Sequence, residues 1–155
     1  MTPAIDKANK ANIKFQVHEY EHDPSSDSYG EEASEKLGID KSRMFKTLVV
    51  SLEGTGLAVA VLPVSKQLDL KLYARTVGAK KAAMADKKAV ERSTGYVLGG
   101  VSPIGQKRNL VTIIDESAKN FDTIFVSAGR RGLDIELSPD DLSLLTGANF
   151  GDIGR

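Results

Sequence analysis

A lysine within an otherwise apolar, strand-like segment is the first residue that suggests chemistry. Lys46 lies in the segment 45–50, whose sequence is FKTLVV. Because side chains alternate between the two faces of a strand, Lys46 shares its face with Leu48 and Val50. On an interior face the ammonium needs an anion or a polar partner, and it would then bind a substrate phosphate or carbonyl at the mouth of a pocket. On an exterior face it is an ordinary solvated lysine.

A glycine-rich segment, 93–105, suggests a second kind of chemistry. Four glycines and a proline fall within the eleven residues 95–105, which does not suit a helix or a strand. Glycine allows the backbone to approach a ligand closely and to direct N–H groups toward it. The N–H groups near Gly99 and Gly100 could therefore stabilise a developing oxyanion, although a plain turn-rich connection would have the same composition.

A third candidate is the basic, glycine-flanked turn that joins two strand-like segments within 126–137. Asp134 and Glu136 share one face of the second segment, and the positions between them are apolar. Asp134 could pair with Lys46 or accept a proton from a hydroxyl group. Alternatively, both acidic residues face water, as ordinary strand alternation would place them.

The string His18-Glu19-Tyr20-Glu21-His22 matches the zinc-protease pattern H-E-x-x-H, but its context argues against a metal site. The pattern holds one zinc ion on a helix, where residues four apart share a face. Here the string continues a strand-like segment, and residues four apart in an extended chain are separated by about 13 Å. The sequence therefore predicts no metal ligands and two strand-end histidines near the surface. Phosphate-loop and dinucleotide-binding patterns are also missing, so we predict no cofactor.

Local signals divide the chain into helices and paired strands. Thr2, Asp69, Asp86 and Ser138 are of the types that cap helices, and glycines follow most of the helical segments. The predicted helices are 3–12, 31–37, 70–77, 87–94 and 139–146. The predicted strands are 15–20, 44–52, 57–62, 110–114, 123–127 and 133–137, the second and third joined as a hairpin. This order predicts one α+β domain, 1–155, around a mixed, largely antiparallel sheet flanked by helices.

Charge is balanced over the whole chain but unevenly distributed along it. The segment 66–108 has ten basic and three acidic residues, a surplus of seven that the rest of the chain offsets. A basic surface beside acidic flanks suits a polyanion that docks and leaves, and a solvated helix face would have the same composition.

The absence of cysteine excludes a disulfide and a thiolate nucleophile supplied by the chain itself. The first residues, MTPAIDK, lack the apolar run of a signal peptide. No apolar stretch approaches the ~20 residues that span a bilayer. We therefore expect a cytoplasmic protein that does not enter membranes.

Taken together, these segments resemble the YbaK family of aminoacyl-tRNA deacylases, which are relatives of the editing domain inserted in bacterial prolyl-tRNA synthetases. The similarity covers nearly the whole chain, and the common order of the segments makes it specific. The matching segments are 1–5 (MTPAI), 20–24 (YEHDP), 45–48 (FKTL), 68–71 (LDLK), 84–86 (MAD), 93–96 (STGY), 99–103 (GGVSP) and 131–136 (RGLDIE).

The resemblance implies a barrel-like mixed sheet and the clearance of mischarged Cys-tRNA(Pro), by hydrolysis or by attack of the substrate's own thiol. It implies Lys46 as the central site residue, where it would anchor the phosphate or ribose of the terminal adenosine. Backbone N–H groups of Gly99 and Gly100 would hold the oxyanion. The other positions associated with the family's pocket are Tyr20, Tyr29, Thr47, Ser127 and Asp134.

Two alternative functions remain open from the sequence. The chain is either a deacylase for another mischarged amino acid or a non-catalytic module that binds tRNA or its synthetase. Because so small a chain has no obvious means of recognising a whole tRNA, prolyl-tRNA synthetase is the candidate protein partner. The oligomeric state is left open.

Overall fold

The computed structural model describes all 155 residues, and four of its five helices begin at the predicted capping residues. The side chains of Thr2, Asp69, Asp86 and Ser138 each accept a hydrogen bond from the backbone N–H group three residues later. Left-handed glycines end four of the five helices. The helices are α1 (Pro3–Lys10), α2 (Tyr29–Leu37), α3 (Leu70–Val77), α4 (Lys87–Thr94) and α5 (Pro139–Thr146). None of them combines the length and apolarity that crossing a membrane requires.

The strands form two sheets. They are β1 (Phe15–Glu19), β2 (Phe45–Leu52), β3 (Gly56–Pro63), β4 (Ala82–Met84), β5 (Val111–Asp115), β6 (Ile124–Arg130), β7 (Leu133–Leu137) and β8 (Asn149–Gly151). Strands β1, β7 and β6 form, in that order, an antiparallel sheet. The second sheet has the order β4-β2-β3-β5-β8, in which the first three strands are antiparallel and the last two are added in parallel. The sheets meet where Phe125 of β6 bridges Met44, the residue before β2.

The predicted α+β fold with a mixed, largely antiparallel arrangement is confirmed, but the barrel is not closed, because the strands separate into these two sheets. The predicted hairpin is confirmed by the continuous pairing of β2 with β3. Strands β4 and β8 and the short 3₁₀ helix Glu116–Asn120 are not among the predicted elements. Strands of three residues have too little local pattern to be recognised, since pairing with a neighbour is what stabilises them.

The packing of the core places α2 at the junction of the two sheets. The largest cluster joins the inner faces of both sheets to α1 and α5, and a second cluster packs α3 against the other face of the five-stranded sheet. A small third cluster, made of Ala33, Met44 and Phe125, anchors α2 beside the start of β2. Tyr29, at the start of α2, therefore lies near Lys46. The sequence placed this helix start two residues too late, because the first turn contains Gly30, and glycine is a poor helix former.

Candidate active site

One cavity, of about 410 Å³, collects most of the residues that the sequence analysis selected. It lies between the start of β2, the end of β6, the N-terminal turn of α2 and the loop 98–101. Six of the eight predicted site residues line it: Tyr20, Tyr29, Lys46, Thr47, Gly99 and Ser127. The other two, Gly100 and Asp134, are not part of the lining but lie next to lining residues.

Lys46 is half-buried in the wall of this cavity. Its Nζ donates a hydrogen bond to the main-chain carbonyl of Lys66 at 2.6 Å, and no carboxylate pairs with it. The pairing with Asp134 that the sequence suggested is therefore wrong. Burial lowers the pKa of Lys46, and the negative charge of Glu31 opposes that change. An ammonium has three N–H donors, so two remain for a ligand in the cavity.

The acceptor of Lys46 is held in place by the end of the chain. Gln67 forms both backbone hydrogen bonds with Arg155, at 3.0 and 2.9 Å. The side chain of Lys66 reaches across to the fully buried Asp115, with 3.3 Å between Nζ and Oδ2. The Lys66 carbonyl therefore belongs to a fixed segment, and this restricts the directions in which the Lys46 ammonium can point.

The two central glycines have different roles in the structure. Gly99 has a φ of +91°, and a Cβ there would lie 3.1 Å from both the Tyr29 ring and the Arg131 side chain. Its N–H has no acceptor within the chain, so it is a free donor beside the cavity. Gly100 instead donates its N–H to the carbonyl of Val97 at 3.0 Å. A Cβ at Gly100 would lie 2.8 Å from the Cα of Arg130.

This geometry corrects the expected role of Gly100. Its N–H group is already used within the turn, so it is not available to an oxyanion. What the position requires is the absence of a side chain, because the loop passes directly over the backbone of the β6–β7 turn. Of the two predicted donors, Gly99 alone fits the chemistry that the sequence suggested.

Asp134 is buried beneath the cavity, at 6% relative exposure, so the alternative in which it faces water is wrong. Its register partners are Ser127 on β6 and His18 on β1, which places its side chain on the face of the sheet that carries Ser127. Burial raises the pKa of Asp134 to about 7. Burial also raises the pKa of Tyr20, and the nearby charge of Asp134 adds to that effect.

Replacing Asp134 with asparagine should remove a pH dependence of stability. A carboxyl group whose folded-state pKa is raised stabilises the native state fully below its unfolded pKa, and this stability is lost as the pH rises through about 7. At ~1.4 kcal/mol per unit, wild type should lose about 2–3 kcal/mol of unfolding free energy between pH 5 and pH 8 through this group. Urea unfolding of Asp134→Asn should lack this loss. The exposed Asp122→Asn is the control, and equal pH slopes for Asp134→Asn and wild type would contradict the prediction.

Three buried side-chain atoms lack a hydrogen-bond partner within the chain, and all three belong to this region. They are Thr47 Oγ1, Arg131 Nε and Asp134 Oδ2. Thr47 and Arg131 line the cavity, and Asp134 is the cross-strand partner of Ser127, which also lines it. Buried polar groups in folded proteins are nearly always hydrogen-bonded, so unpartnered groups that cluster at one cavity indicate a place where a ligand supplies the partners.

Arg131 is the site residue that the sequence analysis did not select. Its guanidinium lies over the Tyr29 ring at 4.1 Å from the ring centre and donates a hydrogen bond to the Ser26 carbonyl at 2.8 Å. The basic turn was recognised in the sequence, but nothing in the pattern separates Arg130 from Arg131. Both side chains line the cavity, and their contacts separate them: Arg131 lies over the Tyr29 ring, whereas Arg130 is exposed beside Glu19.

The two histidines of the H-E-x-x-H string contact different carboxylates. His18 lies in β1, as predicted, with its Nε2 2.9 Å from Glu136. His22 lies beyond the strand, and its Nδ1 is 2.8 Å from the buried Glu32 of α2. Glu32 also accepts the backbone N–H of Asp23 at 2.9 Å. The His22–Glu32 contact therefore ties the segment after β1, which follows Tyr20, to the helix that carries Tyr29.

Basic side chains on α4 and on the two residues 107–108 lie close to the loop 98–101, and we call these five residues the basic face: Lys87, Lys88, Arg92, Lys107 and Arg108. All five are exposed and form no ion pair. Lys71 and Arg75 are also exposed, but they lie on α3, which packs against the other face of the five-stranded sheet. Lys107 and Arg108 are held against the end of α4 by backbone hydrogen bonds to Thr94 and Ser93. The N–H of Leu98, in the cavity wall, donates to the side chain of Glu91 on α4. Glu91 thus connects the helix that carries Lys88 and Arg92 to the loop that forms one wall of the cavity.

Comparison with known proteins gives consistent matches. A family model of the aminoacyl-tRNA editing domain matches residues 23–145. The proposed Cys-tRNA(Pro)/Cys-tRNA(Cys) deacylase EbsC of Enterococcus faecalis is 45% identical over 141 residues, which are 90% of this chain and 86% of EbsC. The multifunctional Ser/Thr-tRNA deacylase ProXp-y of Escherichia coli K12 is 30% identical over 103 residues, covering 64% of this chain and 62% of that protein. The solved structure of a proposed trans-editing enzyme for prolyl-tRNA synthetase has the same fold, with a TM-score of 0.85 and 24% identity over 100% of this chain and 99% of the other.

Proposed function

The chain belongs to the family of aminoacyl-tRNA editing domains, and on that premise we propose that it clears mischarged Cys-tRNA(Pro) in trans. As an aminoacyl-tRNA deacylase, it would hold the ester between cysteine and the terminal ribose for hydrolysis or for attack by the substrate's own thiol. The name of the E. faecalis relative, at 45% identity, supports cysteine as the amino acid.

The observation that carries this proposal is the grouping of three unpartnered buried polar atoms around one cavity that also contains Lys46. An apolar ligand would leave all of them unsatisfied, whereas an aminoacyl ester brings carbonyl, hydroxyl and amino groups. The volume of about 410 Å³ falls in the range typical of small-molecule pockets.

An aminoacyl ester is already activated, so the chain needs no nucleophile of its own. What accelerates the reaction is holding the carbonyl in place and stabilising the negative charge that develops on it. The free N–H of Gly99 and the remaining donors of Lys46 are the candidate groups, and one preorganised donor contributes ~2.7–4 kcal/mol to such a step. Tyr20, Tyr29, Thr47, Ser127 and Asp134 would then contact the amino acid and the ribose.

Two release steps are compatible with this arrangement. In the thiol-assisted step, the cysteine sulfur attacks its own carbonyl carbon, the bond to the ribose oxygen breaks, and the thiol proton ends on that oxygen. Water then opens the resulting thiolactone to free cysteine. In the hydrolytic step, water attacks the carbonyl carbon directly and supplies the proton that the ribose oxygen takes up.

A deacylase acting on serine or threonine is the second candidate function. The similarity to the E. coli Ser/Thr-tRNA deacylase favours it, although that match covers a smaller part of both chains. For either activity, prolyl-tRNA synthetase is the protein partner that we propose. A basic surface that contacts phosphates does not read sequence, so recognition of tRNA(Pro) would come from the synthetase.

The direct test is release of labelled cysteine from Cys-tRNA(Pro) by the purified protein, with and without prolyl-tRNA synthetase. We expect release well above the rate in buffer, and the same rate after treatment with EDTA. Binding of the charged tRNA without any acceleration would instead identify a non-catalytic module. Faster release from Ser-tRNA than from Cys-tRNA would favour the second candidate.

The basic face should contribute to binding of the tRNA body and not to chemistry. Lys88 and Arg92 lie one turn apart on α4 and are both exposed. In the double variant Lys88→Gln/Arg92→Gln we expect a several-fold higher KM for charged tRNA with kcat unchanged, and a slope of log KM against log salt that is lower by about 1–2. The exposed pair Lys7 and Lys10 on α1 gives the matched control, Lys7→Gln/Lys10→Gln. An equal effect of both double variants would contradict a specific basic face.

A further inference from the structure

The guanidinium of Arg131 has more donors than the chain has acceptors for it. One of its five N–H groups donates to the Ser26 carbonyl at 2.8 Å. Its Nε is buried without a partner, and the side chain forms no ion pair with any carboxylate. A partly buried charge that is neither paired nor fully hydrogen-bonded destabilises the fold unless a ligand supplies the missing acceptors.

The position of this guanidinium relates it to the ester site. It lies over the Tyr29 ring, and the Arg131 Cδ is 3.1 Å from the position that a Cβ on Gly99 would take. Arg131 therefore shares a wall with the free N–H of Gly99, which we assigned to the ester carbonyl. A group that Arg131 binds would lie a short distance along the substrate from that carbonyl.

The net positive charge of the cavity lining favours an anionic group of the substrate. Lys46 and Arg131 line the cavity without an ion pair, Arg130 at its rim lies beside the carboxylate of Glu19, and Glu31 is the one acidic residue in the lining. A planar guanidinium matches two oxygens of a phosphate with two parallel hydrogen bonds, whereas an ammonium offers a point charge. In a tRNA 3′ end, the anion nearest to the aminoacyl ester is the phosphodiester on the 5′ side of the terminal adenosine.

We propose that Arg131 binds this phosphodiester, an inference that rests on the proposed function. The assignment moves the phosphate away from Lys46, where the sequence had placed it, and leaves Lys46 to the ribose and the ester carbonyl. The assignment also explains the stacking of Arg131 on Tyr29, because the ring restricts the guanidinium to one orientation relative to the phosphodiester.

Arg130 provides a matched control, because it is the neighbouring residue with the same charge in a different setting. Its side chain is 61% exposed, and its Nη2 lies 3.9 Å from Glu19 on β1. Loss of Arg130 removes the same formal charge from the cavity rim without removing the guanidinium that stacks on Tyr29.

The experiment compares two small substrates, the 3′-cysteinyl ester of adenosine and the 3′-cysteinyl ester of the dinucleotide CpA. The second substrate adds the 5′ phosphodiester and the cytidine attached to it, and the cytidine is common to every variant compared. The readout is the ratio of kcat/KM for the dinucleotide ester to kcat/KM for the adenosine ester. We expect Arg131→Gln to lower this ratio about 10- to 100-fold relative to wild type, which is the effect of losing hydrogen bonds to a charged group. Arg131→Lys should restore part of it, and Arg130→Gln should keep the wild-type ratio.

A merely structural role for Arg131 would lower both rates equally and leave the ratio unchanged, which would overturn the proposal. An equal fall of the ratio in Arg130→Gln would also overturn it, because general attraction to the rim would then explain the effect. Calorimetric titration with CpA and with adenosine, neither of them carrying a cysteinyl ester, tests the phosphate contact without turnover. If wild type binds CpA more tightly than adenosine and Arg131→Gln does not, the phosphate contact is supported. That result holds whether or not the ester is cleaved. Absence of cleavage would then contradict the proposed function and not the phosphate contact.

Discussion

Replacing Lys46 with alanine should lower kcat/KM for Cys-tRNA(Pro) by at least about 10²-fold, the effect of removing one preorganised donor from the reacting carbonyl. The protein should still fold, because Lys46 is only half-buried and forms one hydrogen bond, to the Lys66 carbonyl. A hydrogen bond of this kind typically contributes about 1 kcal/mol to the free energy of unfolding. Single-turnover deacylation at saturating enzyme measures the chemical step, and circular dichroism with urea unfolding measures the fold.

Two further variants separate charge from packing at this position. Lys46→Met keeps the length of the side chain and removes the ammonium, so it should be as inactive as Lys46→Ala. Lys41→Ala removes an exposed lysine five residues away and should behave as wild type. Activity of Lys46→Met near the wild-type level, or unfolding of Lys46→Ala, would contradict the role that we assign to the ammonium.

The sequence could predict Lys46, because a charged residue inside an apolar strand conflicts with its surroundings, and such conflicts concentrate at functional sites. It could not predict what the ammonium touches. The acceptor is a carbonyl twenty residues further on, which reaches Lys46 through the pairing of Gln67 with the last residue of the chain. Long-range contacts of this kind leave no local pattern.

Gly99 and Gly100 likewise show which contacts the sequence could and could not predict. Composition indicated a loop that approaches a ligand, and the loop does border the cavity. Which N–H is free depends on one backbone hydrogen bond, from Gly100 to Val97. The resemblance implied a barrel-like mixed sheet, and the structure adds that the strands separate into two sheets. Local strand patterns cannot show this separation, because it depends on how helices and side chains fill the space between the sheets.

The preference for cysteine is the prediction that decides between the two release steps. Cysteine and proline are close in size, and an apolar pocket discriminates by only ~1–3 kcal/mol per methylene. Apart from the carboxylate of Glu31, the polar side chains of the cavity lining are hydroxyl and basic groups, and the chain has no cysteine that could act as nucleophile. A site that mainly orients its substrate would therefore depend on a nucleophile that the substrate brings.

We therefore expect release from Cys-tRNA to exceed release from Ser-tRNA and Ala-tRNA by at least about 100-fold under the same conditions, because a thiol held next to its own carbonyl has a high effective concentration. The thiol pKa of about 8.5 adds a pH signature, since the thiolate is the nucleophile. The rate for Cys-tRNA, corrected for spontaneous hydrolysis, should rise with pH up to that value, and the rate for Ser-tRNA should not follow the same curve. Equal rates for the three charged tRNAs would rule out the thiol-assisted step and leave direct hydrolysis, with water held beside Gly99 and Lys46 as the nucleophile.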